Sequence, residues 1–167
     1  MKWIYGRQDW KTLERGLENC YLLTNGLGGF SSLTMTGAVA RNDHSVFMAC
    51  TKAPNHRINM IHRMKEELDI GESKYILSTQ EFADGTKEEG YRYLTEFSFE
   101  TFPSWRYLIN GVEIEKEIVM AQGSNQIAVN YHLKNRGQKE ATLCVTPFFQ
   151  FEPKGEDLKE GKIFSRQ

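Results

Sequence analysis

This chain has no charge surplus, no long apolar run and no cysteine pair. Its 21 basic residues stand against 22 acidic ones, a formal charge of −1, which gives no electrostatic reason to bind nucleic acid or an anionic membrane. No stretch approaches the ~18 apolar residues of a spanning helix, and Met1 to Arg7 turns polar within a few residues, unlike the apolar core of a signal peptide. The chain reads as cytosolic. Cys20, Cys50 and Cys144 lie far apart with no CxxC among them, which argues against a disulfide framework or a zinc site and for free, mostly buried thiols. The four histidines show no HExxH spacing. No cofactor and no metal are expected.

Helix signal is almost as scarce. Asp9 to Leu17 fits one short helix, with Asp9 as N-cap and Trp10, Leu13 and Leu17 on one face. The remainder reads as strands: His44 to Cys50, Lys74 to Ser78, Glu96 to Phe102 and Trp105 to Ile109 are rich in β-branched and aromatic residues. Asn110-Gly111 is the strongest turn signal, because a type I′ hairpin needs positive φ at both central residues. It pairs Trp105–Ile109 with Val112–Met120, where Val112 and Ile114 alternate with Glu113 and Glu115. Turns at Gln122 to Asn125 and at Asn135 to Gly137 lead into Gln126–Leu133 and into Thr142–Phe151, the latter expected to be central. Arg57 to Ile70 satisfies both helical and strand periodicity. Frequent turns between short strands indicate an all-β, antiparallel two-sheet sandwich. With 167 residues the chain is long enough for one self-sufficient core. The polar stretch from Glu152 to Lys162 reads as loop or linker, so the sandwich is expected to be truncated at its C-terminal end.

The most informative stretch is Tyr21 to Ser32, where an apolar run breaks into Gly26, Gly28 and Gly29 and resumes at Phe30. Glycine admits positive φ and close approach to the backbone. The spacing is wrong for a nucleotide loop: Ser31 stands where the dinucleotide fingerprint needs its third glycine, and Phe30 where a phosphate loop needs lysine.

Read onward through Arg41-Asn42-Asp43-His44, Gly90-Tyr91-Arg92-Tyr93-Leu94 and Phe102-Pro103-Ser104-Trp105, the chain resembles the N-terminal domain of bacterial and archaeal glycogen debranching enzymes. The match in order and spacing runs from about Asn19 to Phe151. Many members carry Glu-Trp-Leu where this chain has Cys20-Tyr21-Leu22, and Arg-Arg-Tyr-His-Gly where it has Arg41 to Ser45. The resemblance implies a large sandwich of the galactose-mutarotase type, a long strand over Arg57 to Ile70, and catalytic carboxylates in a helical toroid outside this chain. It also implies two partners, an α-glucan and that catalytic helical domain.

Glycoside hydrolysis ordinarily needs a pair of carboxylates. Glu66-Glu67, Glu88-Glu89 and Glu113/Glu115/Glu117 instead sit among Lys and Arg in the manner of solvated strand faces and loops, so no catalytic residue is assigned here. The candidate sugar- or interface-binding residues are Asn25, Gly28, Gly29, Phe30, Arg41, Asp43, His44, Tyr91 and Tyr93. Asn, Asp, Arg and His can pair with sugar hydroxyls, and aromatic rings can stack on sugar rings. Each has a plainer reading: Asn25-Gly26 as a turn, Arg41 and Asp43 as a mutual pair, His44 as a hydrogen-bonded core residue, aromatic residues as core. Trp105 is the expected core anchor, and Tyr91 and Tyr93 the expected exposed pair. Asn25 to Ser31 and Arg41 to His44 are expected side by side at one edge of the sandwich, and Gly28→Val is expected to spare the isolated fold. The reading that results is a non-catalytic N-terminal domain of an α-1,6-glucosidase-type protein. A stand-alone carbohydrate-binding module and a structural interaction sandwich are the alternatives.

Overall fold

A computed structural model describes residues 1–157. The strands are β1 (Trp3–Gly6), β2 (Leu23–Thr24), β3 (Phe30–Ser32), β4 (Ser45–Lys52), β5 (His56–Ile70), β6 (Ser73–Ile76), β7 (Thr79–Glu81), β8 (Lys87–Glu89), β9 (Leu94–Phe99), β10 (Pro103–Ile109), β11 (Val112–Met120), β12 (Ile127–Asn135) and β13 (Ala141–Pro153). One sheet runs β1-β9-β10-β11-β12 and the other β13-β5-β4-β3-β2, with β6 also on β5 and β7-β8 as a separate hairpin. The pairings are antiparallel. The expected all-β sandwich is the observed one.

The hairpin signal acts as its chemistry requires: Asn110 and Gly111 take φ of 48° and 83°, and Ile109 pairs with Val112. The ambiguous segment is a 15-residue strand. The helix differs from expectation. Arg7–Trp10 forms a 3-10 turn closed by Asp9, whose carboxylate accepts from Gly6 N, and α1 (Leu13–Glu18) starts instead from Thr12, whose hydroxyl accepts from Arg15 N. β13 is an edge strand rather than a central one; its exposed residues include Phe148 and Phe149. Of the expected linker, Glu152 and Pro153 instead belong to β13, paired with Asn59 and Ile58, and the part beyond residue 157 lies outside the described residues.

The core lies between the sheets. Trp105 is fully buried, as expected, and its indole N–H donates to Met35 O at 2.8 Å, tying β10 to the loop after β3. Tyr21, Phe97 and Trp105 pack ring against ring at centroid distances of 5.3 to 6.2 Å. Cys50 is buried, but Cys20 and Cys144 are exposed free thiols, so burial does not account for all three. Glu66 and Glu88 also depart from the solvated reading: both are buried, Glu66 against Lys116 and Glu88 against Arg63 and Ser78. Burial pushes the Glu88 carboxyl up, but the hydrogen bonds from Arg63 and Ser78 prevail and hold it below the ordinary carboxylate range.

Candidate functional site

The glycine-rich stretch is the turn between β2 and β3. Asn25 shapes it: its Oδ1 accepts from Leu27 N and Gly29 N, both at 3.0 Å, while Asn25 N donates to Gly29 O. Its Nδ2 donates to Ser124 O at 2.9 Å and Asn125 Oδ1 at 3.0 Å, and its own carbonyl accepts from Gly123 N. The turn is thereby fastened to the β11–β12 turn of the opposite sheet. Asn25 is wholly buried, so its role in this structure is to clamp the turn.

The glycines are dictated by that packing. Gly28 has φ of 93°, and a Cβ there would lie 3.2 Å from Pro54 O and from Cys50 Sγ; at Gly29 it would lie 2.7 Å from Asn25 Nδ2 and 3.0 Å from Met48 O. The expectation that Gly28→Val spares the fold is therefore corrected, since a branched side chain meets backbone in a conformation that disfavours it.

Past the turn, Gly28, Gly29, Phe30, Asp43, Arg57 and Lys154 line an open cavity of about 300 Å³, rimmed by the exposed Leu22. Arg57 Nε donates to Gly28 O at 2.6 Å. Two cations flank one ring, with Arg57 6.0 Å and Lys154 5.7 Å from the Phe30 centroid, the range of cation–π attraction. Lys154 Nζ also reaches Asp43 at 3.9 Å. The groove thus offers a half-buried ring, two positive groups, one carboxylate and accessible glycine backbone. Sequence reasoning missed Arg57 and Lys154, which reach the site through folding and carry no local motif.

The segment Arg41 to His44 divides. Only Asp43 joins the groove. Arg41 turns the other way, its guanidinium donating to Glu18 O at 3.3 Å and to Cys20 Sγ at 3.6 Å, and it lines a second cavity; it makes no pair with Asp43. His44 is 1% exposed, and its Nδ1 accepts from Ala40 N at 3.1 Å. Burial holds the imidazole below its ordinary pKa, with Asp43 pulling back up and Arg41 adding to the depression. Tyr91 and Tyr93 are not an exposed pair: both are partly buried against the core, Tyr91 donating to Glu89 and Tyr93 meeting Tyr75 edge-on at 5.7 Å. They line neither cavity.

The second cavity, about 450 Å³, is bordered by Arg41, Asn42, Asn59, His62, Phe82 and Gln150 among others. Asn59 and Gln150 are buried and bonded to each other at 2.9 Å, and Asn59 also meets His62 Nδ1 at 3.1 Å. Burial and the neighbouring Arg63 hold His62 below its ordinary pKa, against the pull of Asp157. Sequence reasoning missed this triad, because Gln150 reaches Asn59 and His62 of β5 only through the pairing of β13 with β5. Among the described residues no group of three His, Cys, Asp or Glu side chains could hold a metal ion, and no helix is long and apolar enough to cross a membrane.

Comparison with known proteins adds three findings. The family model described as "Glycogen debranching enzyme N terminal" matches residues 19–167. A membrane protein insertase YidC of Thiobacillus denitrificans is 33% identical over 60 residues, which cover 36% of this chain and 11% of that protein. No solved structure matches.

Proposed function

This chain belongs to the glycogen debranching enzyme N-terminal family, and from that premise we propose that it is a non-catalytic domain of an α-1,6-glucosidase-type protein. In this reading it supports a catalytic helical domain and contributes to α-glucan binding. The observation that carries the proposal is the groove at Phe30. It presents a ring, the Gly28 and Gly29 backbone and the charges of Arg57, Lys154 and Asp43, a set suited to meeting a polar partner. Among the described residues Asp43 is the acidic one lining it, whereas glycosidic cleavage ordinarily uses a pair of carboxylates. The cytoplasmic setting belongs to the same reading and is supported by three free cysteines.

The test is made in the complete enzyme. Lys154→Glu and Asp43→Ala alter exposed side chains, so the domain should keep its melting temperature while hydrolysis of a branched glucan falls. Full activity in both variants would overturn the interface role. Glucan hydrolysis by the purified chain itself, abolished by changing one of its own carboxylates, would overturn the non-catalytic assignment.

A further inference from the structure

We infer that the cavity bordered by Asn42, Asn59, His62 and Gln150 is a binding site for a neutral sugar, separate from the groove at Phe30.

The hydrogen-bond network fixes the chemistry of its floor. Gln150 Nε2 donates to Glu156 O at 2.7 Å, which turns the Gln150 oxygen toward Asn59. Asn59 must then offer Nδ2 there, and its Oδ1 accepts from the Ser45 hydroxyl at 2.8 Å. The second hydrogen of Asn59 Nδ2 goes to His62 Nδ1. That nitrogen is therefore an acceptor, and the ring is neutral with its proton on Nε2. A chain of three side chains, anchored to backbone at Glu156 O through Gln150, thus leaves an imidazole N–H donor and a second Gln150 N–H among the groups lining the cavity.

The remaining wall selects the ligand class. Arg41 and Asp157 line the wall together with Glu81, which is itself paired with Lys87 at 3.0 Å, a near balance of charge that gives no positive surplus to hold phosphates or other anions. The remaining His62 and Gln150 N–H groups disfavour a wholly apolar guest, because leaving them unpaired against it is costly. A ligand of many hydroxyls satisfies both conditions, since each hydroxyl donates to a carboxylate or accepts from an imidazole or amide N–H. Val39 and Phe82 supply apolar surface for the carbon face of a sugar ring, and about 450 Å³ lies in the range of small-molecule sites.

The choice of an α-1,4-glucan fragment as probe rests on the glucan-handling reading above. Calorimetric titration of the full chain with maltotriose should show binding that weakens at least about tenfold in His62→Phe, which removes the N–H donor. Asn42→Ala should weaken it as well, and Phe30→Ala should leave it unchanged. Inorganic phosphate should not bind. If His62→Phe does not fold by circular dichroism, Asn42→Ala decides. Absence of maltotriose binding, binding unchanged in the deciding variant, loss in Phe30→Ala alone, or preference for phosphate would each overturn the inference. The proposed function stands or falls separately, on hydrolysis by Lys154→Glu in the complete enzyme.

Discussion

Lys116 of β11 and Glu66 of β5 form an ion pair across the interior of the sandwich, each side chain only 5% exposed. The pair joins the two sheets at the level of Trp105, whose ring lies 5.2 Å from Lys116 Nζ. Tyr131 of β12 donates to the same Glu66 oxygen at 2.8 Å. Burial, and then the Glu66 charge, hold the phenols of Tyr107 and Tyr131 well above their ordinary pKa. A charge pair in this position sets the register of one sheet against the other, because a slip of β11 by one residue would turn Lys116 to solvent and strand Glu66 inside.

Breaking this pair should be costly, and replacing it should not. Lys116→Met alone leaves a buried carboxylate and is expected to cost about 3–5 kcal/mol, whereas Lys116→Met with Glu66→Leu should recover most of that loss. Urea denaturation of the two variants measures both. Equal losses in the single and double variants would mean that packing, not the stranded charge, sets the cost.

Asn25→Ala should loosen the groove from behind. It removes the acceptor of the buried Gly29 N–H and the donor to Ser124 and Asn125. An orphaned buried group costs about 1–3 kcal/mol, and the loss should appear in equilibrium unfolding. Hydrogen exchange at Gly29 should rise with it. Unchanged protection there would show that the turn holds without its clamp.

Gly90 carries the tightest backbone contact of the glycines. A Cβ there would lie 1.8 Å from Leu77 O, while at Gly123 it would meet nothing within 4 Å. Gly123→Ala should therefore cost only its left-handed strain, about 1–2 kcal/mol, and Gly90→Ala should cost more by forcing the chain after β8 away from the Leu77–Ser78 link between β6 and β7. Comparable melting temperatures for the two variants would refute this ordering.

What could be read from the sequence was what local chemistry determines. Asn110-Gly111 dictates its own turn, and the alternation of Val112 and Ile114 with Glu113 and Glu115 orients β11. The same alternation places Lys116 inside, yet its charge argues for the surface until the Glu66 partner, 50 positions away, is known. Glu88 is hidden for the same reason, since Arg63 becomes its partner only when β8 folds back beside β5. Tyr91 and Tyr93 look solvent-facing beside Arg92 because their burial depends on Tyr75 and the core. At the groove, Gly28, Gly29, Phe30 and Asp43 stood out by composition. Arg57 and Lys154 did not, because Lys154 N is hydrogen-bonded to Arg57 O only through the pairing of β5 with β13. Thr142–Phe151 gave no clue to its edge position, since sheet order is decided by which strands later compete for β5.

The two depressed histidines make stability depend on pH with a definite sign. His44 is lowered chiefly by burial, with Asp43 and Arg41 facing it, and His62 by burial and Arg63, with Asp157 opposing. In the unfolded chain both titrate near 6.5, so below that value the unfolded state binds protons that the folded state does not. Their contribution to stability is therefore complete above about pH 6.5 and is lost as pH falls from there toward the lower folded values. The slope is bounded at about 1.4 kcal/mol per pH unit for each histidine. Glu88, depressed by Arg63 and Ser78, adds a loss of its own only below its ordinary 4.5. The physical cause is specific in each ring, since protonating Nδ1 of His44 would oppose the Ala40 N–H that it accepts, and protonating Nδ1 of His62 would oppose Asn59 Nδ2. Urea unfolding at a series of pH values should show stability falling between pH 6.5 and 5. His44→Asn, whose Oδ1 can accept the same Ala40 N–H, should flatten part of that fall. A profile level across this range, or one left unaltered by His44→Asn, would assign the acid sensitivity to other groups.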